Sequence, residues 1–350
     1  MEKASVLELK KQVLESLSER RGATQTEVLN IPRVESRLAV GYSQKNDGEY
    51  QLELRVQKGR GAAYRKAQKF REQAKKEANI EIIPRVYIPS QSDIADKLPP
   101  PLARTARPLH LGLSIGHQDG GVGTLGAFVS DARDRDCILS NNHVLALMNQ
   151  AKNGAPIYQP GNPDRWPLTS EDEVAKLSRF IIVVKSKRNL VDAALAVIGK
   201  DIDERDIDHD SNRIPRGFGY PMEGRMIGEA DPPESVLELL KKDTPVCKIG
   251  RTTGYTEGII GAVALDNVPV KTPIGIVVFD DVIQVNWESN NKPFSEPGDS
   301  GSLVFTKEYP TAIGLHFAGG ERRVEGKELK VSYSCNIFNV LKTLEASLLD

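Results

Sequence analysis

The sequence has few of the features that mark membrane, secreted or nucleic-acid-binding proteins. No apolar run approaches the roughly 20 residues that a membrane-spanning helix needs, and the charged N-terminus lacks the apolar stretch of a secretory signal. The three cysteines, Cys137, Cys247 and Cys335, are far apart, and no CxxC spacing suggests zinc. With 47 basic and 48 acidic residues the net charge is −1, so no overall field attracts nucleic acid or anionic lipid. These absences predict a soluble, cytoplasmic protein without a disulfide framework or a membrane partner.

The first 90 residues predict a small α+β module. Apolar positions at helical spacing predict helices at 5–20 and 62–78, and alternation around a turn at Asn46-Asp47-Gly48 predicts a β-hairpin of 38–42 with 50–56. A third strand is expected at 80–88. The second helix has a basic face from Arg65 to Lys76, which we interpret as a solvated face because no aromatic residues are interleaved with it. Nucleic acid is therefore disfavoured as a partner.

The rest of the chain predicts a mainly β structure. Short apolar runs alternate with Gly, Asp, Asn and Pro, a pattern typical of β-barrels or sandwiches. The runs are 124–129, 137–139, 180–184, 193–198, 259–265, 277–285, 303–305 and 312–317. The predicted domains are the N-terminal module (1–90), a proline-rich linker (91–109), a first barrel (110–200), an acidic and glycine-rich segment with a helix at 233–241 (201–245), and a second barrel (246–345).

The strongest chemical signal is Gly298-Asp299-Ser300-Gly301, which directly precedes an apolar strand. A serine hydroxyl is a poor nucleophile unless a base takes its proton and donors stabilise the oxyanion that it generates. The glycines permit a tight turn that aims the N–H groups of Gly298 and Ser300 at one point. The alternative is a Gly-Asp turn that only joins two strands.

A base and an aspartate that orients it have one good candidate each. His143 follows an apolar strand, where a short helical turn would present it; the alternative is a hydrogen-bonded structural histidine. Asp192 is the carboxylate that opens an otherwise apolar strand, and a buried charge there needs a partner. Its alternative is an exposed cap at the start of the strand. Together the three residues follow the order His, Asp, Ser, each at a strand edge, and they predict a site in the crevice between two barrels.

The motifs resemble those of the chymotrypsin-like, trypsin-fold serine peptidases, and more specifically the NARROW LEAF-like trypsin-fold proteins of bacteria and plants. The resemblance covers roughly residues 110–340, and 37–88 loosely resemble the same family's N-terminal unit. The matching stretches are Gly123-Thr124-Leu125-Gly126, Leu139-Ser140-Asn141-Asn142-His143-Val144-Leu145, Tyr158-Gln159-Pro160-Gly161, Val191-Asp192-Ala193-Ala194, Lys248-Ile249-Gly250-Arg251-Thr252-Thr253-Gly254 and Pro297-Gly298-Asp299-Ser300-Gly301-Ser302-Leu303-Val304.

The resemblance implies a fold and an activity. The expected fold is mainly β, with two six-stranded antiparallel β-barrels beside the small N-terminal α+β module. The expected activity is that of an intracellular serine endopeptidase, with protein or peptide substrates and no cofactor. His143 would be the general base and acid, Asp192 would orient it, Ser300 would be the nucleophile, and the Gly298 and Ser300 N–H groups would form the oxyanion hole.

Substrate preference is expected to depend on His316, Ser295 and Phe317. The strand 314–320 would line the primary pocket and pair with the substrate backbone by strand addition. It resembles the corresponding strand of glutamyl endopeptidases, whose pocket histidine binds a substrate carboxylate. We therefore expect His316, with the Ser295 hydroxyl, to favour Glu or Asp before the scissile bond; the alternative is that His316 closes a hydrogen bond in the core. Phe294 stands where trypsin-type relatives carry an acid, so tryptic specificity is not expected.

Other functions remain open. A catalytically silent binding or assembly platform would use the same fold without the chemistry. A latent enzyme would be switched on by a partner or by cleavage near Arg104 or Arg107. The N-terminal module is a candidate contact for a regulatory protein or for a second copy of the chain. Five aspartates between 201 and 210 could offer oxygen ligands to Ca²⁺, but they lack the EF-hand pattern, and a solvated acidic loop is favoured.

Overall fold

A computed structural model describes residues 1–18, 37–75, 77–90, 93, 101–162, 164–165, 167–199, 212–287, 293–324 and 326–349. The helices in these ranges are α1 (Lys3–Ser18), α2 (Ala62–Gln73), α3 (Asn142–Leu145) and α4 (Ile337–Leu344), with 3₁₀ segments at Pro101–Ala103, Ser170–Asp172 and Pro233–Leu239. The strands are β1 (Leu38–Gln44), β2 (Tyr50–Val56), β3 (Ala78–Tyr87), β4 (Ser114–His117), β5 (Gly120–Thr124), β6 (Ala127–Asp131), β7 (Asp136–Ser140), β8 (Pro156–Tyr158), β9 (Glu173–Phe180), β10 (Arg188–Asn189), β11 (Ala194–Ile198), β12 (Pro245–Gly250), β13 (Gly254–Asp266), β14 (Val268–Thr272), β15 (Gly275–Phe279), β16 (Val282–Asn286), β17 (Leu303–Thr306), β18 (Ala312–Val324), β19 (Lys327–Asn336) and β20 (Ala346–Leu348).

The C-terminal half contains a closed antiparallel barrel. Strand β12 pairs with β13, β13 with β16, β16 with β19, β19 with β18, β18 with β17, and β17 again with β12. These six pairings form a ring, so each strand has a neighbour on both sides within the barrel. Strands β13 and β18 have 13 residues each and extend beyond the ring. There they pair with β1 and β3, respectively.

The other sheet also closes, although one corner is bent. It pairs β4 with β8, β8 with β9, β9 with β11, β11 with β7 and β7 with β6. Leu125 and Gly126 connect β5 directly to β6: Leu125 N–H donates to Leu113 O at 2.8 Å and Gly126 N–H to Leu139 O at 3.0 Å. The bent segment 120–131 therefore pairs with β4 at one end and with β7 at the other. The predicted mainly β fold with two antiparallel barrels and a small N-terminal α+β unit is confirmed.

The N-terminal unit joins the second barrel through its backbone. Strands β1 and β2 form the predicted hairpin, and α2 connects β2 to β3, which lies parallel to it. Strand β1 pairs with β13, and β3 pairs with β18 and β14. The result is one continuous 12-stranded sheet that runs from the N-terminal unit into the barrel. The predicted domain boundaries stay predictions. The backbone hydrogen bonds of this unit nevertheless continue into the strands that follow residue 246.

A buried polar network crosses the same junction. Arg55 on β2 donates from Nη1 to Glu53 at 2.8 Å and from Nε to Gln284 of β16 at 2.7 Å, and it lies 3.3 Å from the Glu81 carboxylate. Glu81 in turn faces Arg322 of β18 at 3.5 Å. Buried charges are tolerated when they are paired and hydrogen-bonded, and separating them would leave unpaired charges inside the protein. The network therefore opposes detachment of the N-terminal unit.

Several local predictions differ from the structure. Helix α2 ends at Gln73, and the expected helix at 233–241 is the 3₁₀ segment. The run 277–285 forms two strands, separated by a turn in which Asp281 has a positive φ of 54°. The run 180–184 leaves the sheet after β9 because side-chain amides take its backbone bonds: Asn142 Nδ2 donates to Ile181 O at 2.6 Å, and Val183 N–H donates to Asn149 Oδ1 at 3.0 Å. No helix in the described ranges combines the length and the apolar character needed to span a membrane.

Candidate active site

His143 and Asp192 form a hydrogen-bonded pair inside the first barrel. The imidazole Nδ1 lies 2.6 Å from Asp192 Oδ2, and His143 N–H donates to Asp192 Oδ1 at 3.1 Å. The aspartate side chain has no exposed surface, so the alternative of an exposed cap does not hold. In a neutral imidazole this contact places the proton on Nδ1, since carboxylate oxygens accept hydrogen bonds, and the Nε2 lone pair is then free. This is the tautomer that a general base requires.

Two asparagines before His143 hold this pair in place. Asn141 Nδ2 donates to the Asp192 carbonyl at 2.7 Å. Asn142 bonds Asn149 through both atoms of its amide, which anchors the four-residue helix α3. The Asp192 N–H donates to the Sγ of buried Cys335 at 3.3 Å. The side chains around the histidine therefore hold the imidazole against the carboxylate through hydrogen bonds.

Ser300 lies in the turn before β17, and this turn contacts the first barrel beside the histidine motif. Its carbonyl accepts a hydrogen bond from Thr124 N–H at 2.8 Å, and Gly301 N–H donates to His316 O at 2.8 Å. A side chain at Gly123 would lie 2.7 Å from Ser300 O and 2.5 Å from Val144, the neighbour of His143, so this glycine lets the two motifs meet. In the described residues the Ser300 hydroxyl makes no hydrogen bond with the imidazole. Such bonds often tighten only when substrate is bound.

Hydrogen bonds hold the carbonyl groups of the turn 296–302, which we call the oxyanion turn. Thr252 Oγ1 donates to Pro297 O at 2.7 Å, and Ser302 N–H and Oγ both donate to Asp299 O. In a trans peptide the N–H points opposite to the C=O, so the Gly298 and Ser300 N–H groups point away from these bonds. Within the described ranges no group accepts from either N–H. Two unpaired donors beside a serine hydroxyl are the arrangement that stabilises an oxyanion.

Gly298 is required by both conformation and space. Its φ is +102°, a region that side chains disfavour. An added Cβ would lie 2.3 Å from Thr252 Oγ1, the same hydroxyl that holds Pro297 O. Only glycine therefore fits at this position without moving the turn.

A buried lysine whose role was not predicted from the sequence stabilises the turn. Lys248 Nζ lies 3.2 Å from Asp299 Oδ2, with both side chains fully buried, and it donates to Thr253 Oγ1 at 2.7 Å. The Asp299 carboxylate also accepts from Thr252 N–H, Thr253 N–H and Glu296 N–H, at 2.8, 3.1 and 2.9 Å. Burial alone would raise the pKa of Asp299, but the Lys248 ammonium and these donors outweigh it and lower the pKa. The carboxylate therefore stays ionised and ties the turn to β12.

The stretch Gly250-Arg251-Thr252-Thr253-Gly254 thus does more than form a hairpin turn. Besides the threonine contacts, the Arg251 guanidinium pairs with Asp164 of the first barrel, where both side chains are almost fully buried. Arg251 N–H donates to Thr124 Oγ1 at 3.0 Å, and Thr124 Oγ1 donates to Gly298 O at 3.0 Å. This stretch therefore connects both barrels to the oxyanion turn.

A second polar cluster lies beside Ser300 in the second barrel. His316 pairs directly with Ser334 across β18 and β19, so their side chains share one face. The His316 Nδ1 and the Ser334 Oγ are buried without a hydrogen-bond partner, and Ser295 Oγ lies 2.5 Å from Ser332 Oγ. Burial, and next to it the Lys248 ammonium, lower the pKa of His316 to about 3, so the imidazole is neutral at ordinary pH. Buried polar atoms without partners are rare, which makes these two atoms candidates to bind a ligand group or a water.

Phe317 lies in the core rather than on the surface of the site. Its ring is fully buried and packs on Phe279 at a centroid distance of 4.7 Å. It is also the extra residue of a β-bulge, since His316 pairs with Ser334 and Ala318 with Tyr333. Any substrate contact of this residue would come from its backbone.

Nothing in the described residues indicates a metal site. No three His, Cys, Asp or Glu side chains in these ranges are close enough together to hold an ion. The acidic residues 201–210 lie outside the described residues.

Comparison with known proteins gives similarity to two groups. Residues 229–342 match the model of the Nal1 C-terminal domain. The chain is 38% identical over 217 residues to Protein NARROW LEAF 1 of Oryza sativa subsp. japonica; the match covers 57% of this chain and 34% of that protein. The chain thus spans about a third of the length of this curated relative, and the resemblance to NARROW LEAF proteins is found again over these residues.

Solved structures of bacterial serine proteases are similar at lower identity. Nocardiopsis protease has a TM-score of 0.43 at 17% identity, with 69% of this chain and 98% of that chain covered. Thermobifida fusca protease A has a TM-score of 0.42 at 14% identity, with coverage of 69% and 97%. A protease described as glutamic acid specific has a TM-score of 0.40 at 15% identity, with coverage of 69% and 100%.

Proposed function

We propose that this chain is a serine peptidase that cleaves through an acyl-enzyme. The His143–Asp192 pair carries the proposal, because it leaves Nε2 free to take a proton from the Ser300 hydroxyl. Ser300 Oγ then attacks the substrate carbonyl, and the Gly298 and Ser300 N–H groups stabilise the oxyanion. The imidazolium returns its proton to the leaving amine. Water, deprotonated by His143, releases the acyl group by the same steps.

The experiment that tests this proposal is labelling with a fluorophosphonate probe, read by intact mass. Wild type should take up one probe per chain, and Ser300→Ala should take up none. Wild-type protein that is folded but not labelled would contradict the proposal, because the probe needs only an activated serine and an oxyanion hole. Circular dichroism of both proteins shows whether they are folded.

A binding or assembly platform is the second candidate. It is favoured by the missing hydrogen bond between the Ser300 hydroxyl and the imidazole in the described residues, since a serine that is never activated would also lack it. The same labelling experiment separates the two functions, because a platform gives no adduct.

We further propose that the cluster of His316, Ser295 and Ser334 receives the substrate side chain before the scissile bond and prefers an acidic one. His316 Nδ1 and Ser334 Oγ are buried without partners, and His316 bonds to both residues that follow Ser300 through its backbone. A bound carboxylate would raise the pKa of His316 and protonate it, which creates a charge-assisted hydrogen bond. Matched reporter peptides with Glu, Gln or Phe before the scissile bond test this preference. Cleavage of the Phe reporter but not of the Glu reporter would contradict it.

A further inference from the structure

The outer edge of β18 is covered on both sides of the candidate site. Strand β17 pairs with it as far as Leu315, and the next residue, His316, bonds Gly301 and Ser302 through its backbone. From Gly319 onward β3 of the N-terminal unit pairs with it. Only Phe317 and Ala318 are left without a strand on this edge, among the residues that the structure describes. An uncovered stretch of sheet edge beside a nucleophile is a template for an extended peptide.

The pairing of β3 takes the backbone groups of Gly319 directly. Tyr87 is the residue opposite both Gly319 on β18 and Lys271 on β14. Ile88 N–H donates to Lys271 O at 3.0 Å, so Ile88 turns its backbone towards β14. Successive residues of a strand turn their backbone groups to opposite sides, and Tyr87 therefore turns its own N–H and C=O towards Gly319. A substrate residue at this position would need the same two groups of Gly319.

The direction of β3 makes it collinear with a bound substrate. A peptide that pairs antiparallel with β18 and ends at Ser300 has its N-terminal side at Ala318 and Gly319. Strand β3 also runs antiparallel to β18, from Arg323 towards Gly319, and it stops where that peptide would begin. The chain then turns away because Ile88 bonds β14. Strand β3 thus occupies the place of the third and earlier residues before the scissile bond.

We propose that β3 limits the acyl part of the substrate to one or two residues, so that this chain releases short N-terminal fragments from peptides instead of cutting within chains. This inference rests on the proposed function, and it replaces the endopeptidase expectation with an exopeptidase class. The chemistry is unchanged: Ser300 forms the acyl-enzyme with a one- or two-residue segment, the remaining peptide leaves with the proton from His143, and water releases the segment.

Strand β3 is built into the sheet and does not act as a removable lid. It pairs with β2 over five residues, from Ala78 to Ile82, and its Glu81 faces Arg322 of β18 at 3.5 Å. Its Ile83 and Val86 are buried. A Cβ added at Gly320 would lie only 2.7 Å from Arg85 O of β3, so the two strands are in close contact beside the site.

The test begins with unlabelled enzyme, taken from a preparation that an aliquot has shown to react with the fluorophosphonate probe, and a tryptic digest of a cell lysate as a peptide library. Mass spectrometry counts the residues upstream of each new cleavage. We expect nearly all cleavages to have one or two upstream residues. A nested series made from the best substrate, with one to four residues before the bond, should show kcat/KM falling by about tenfold or more from two residues to three.

A matched pair of glycine variants tests the cause. Gly320→Ala presses against β3 and should reduce the difference between two and three upstream residues. Gly228→Ala, away from the site and with nothing within 4 Å of an added Cβ, should keep the wild-type difference. Probe-reactive enzyme that, used unlabelled, cleaves mainly within peptides or releases no short fragments overturns the inference and leaves the proposed function intact. Absence of labelling overturns the proposed function itself.

Discussion

Replacing Lys248 with methionine should damage both stability and reactivity, because it leaves the Asp299 carboxylate buried without its cation. Both side chains have no exposed surface. Removing one partner of a buried ion pair typically costs about 3–5 kcal/mol of unfolding free energy. Asp299 keeps hydrogen bonds from Thr252, Thr253 and Glu296, which offset part of the loss. We therefore expect a value near the lower end, about 3 kcal/mol.

The same substitution should slow fluorophosphonate labelling. The donors that Asp299 holds belong to the oxyanion turn and to the stretch that anchors Pro297 O. If the turn moves, an oxyanion donor is lost, and removal of one such donor costs on the order of a hundredfold in rate. Urea unfolding gives the stability change, and the time course of labelling under conditions where the variant is folded gives the rate.

Lys307→Met is the matched control. Lys307 pairs with Glu257 at 2.6 Å, but the Lys307 side chain is 43% exposed and the Glu257 side chain 42%. Exposed pairs contribute at most about 1 kcal/mol, and Lys307 contacts no part of the oxyanion turn in the described residues. If Lys248→Met is no more destabilising than Lys307→Met, the argument from the buried charge is wrong. If Lys248→Met is destabilised but labels at the wild-type rate, the pair does not position the turn.

Two further predictions follow from single residues. Gly298→Ala should slow labelling by about a hundredfold while the protein stays folded. Gly154→Ala is the control: Gly154 has a similar positive φ of 88°, but nothing lies within 4 Å of the added Cβ, and the variant should label at the wild-type rate. Equal labelling rates of the two variants would contradict the role of the turn. His316 should make stability depend on pH, because its pKa falls from 6.5 to about 3 on folding and the unfolded chain binds the extra proton between these values. Stability is then lost as pH falls below 6.5, by about 2 kcal/mol between pH 8 and pH 5. Urea unfolding of wild type and His316→Gln at both pH values checks this, and an unchanged pH dependence in the variant would contradict it.

Local sequence patterns predict much of this fold and the residues of the candidate site. The β1–β2 hairpin follows from alternation around Asn46-Asp47-Gly48, and His143 and Asp192 were identified by the strands that flank them and lie in hydrogen-bond contact. These features depend on short-range rules. Residues that flank a strand lie at its ends, and a buried carboxylate requires a partner. Their joint use as a triad with Ser300 stays a proposal.

Long-range pairings could not be predicted in the same way. Lys248 lies in the apolar strand Val246-Cys247-Lys248-Ile249, where alternation alone would place it on an exposed face. Its burial follows from closure of the barrel, which brings Asp299 to the same interior point. The one available signal was its position two residues before the Gly250-Arg251-Thr252-Thr253-Gly254 stretch. The register of β3 against β18 likewise depends on a pairing between two segments that lie far apart in the chain, and neither strand specifies it alone.

This register bears on the idea of a latent enzyme activated by cleavage near Arg104 or Arg107. The segment is attached to the first barrel: Gln159 Nε2 donates to Arg104 O at 2.8 Å, and Arg107 Nη1 donates to Gln159 Oε1 at 2.5 Å. Residues before it supply β1 and β3, which cover the edges of β13 and β18. Removing them would expose two sheet edges and the apolar surface under them, a condition that promotes aggregation. A cut at this segment is therefore expected to leave the N-terminal unit bound, with β3 still beside Gly319, and so to leave the length of accepted substrates unchanged.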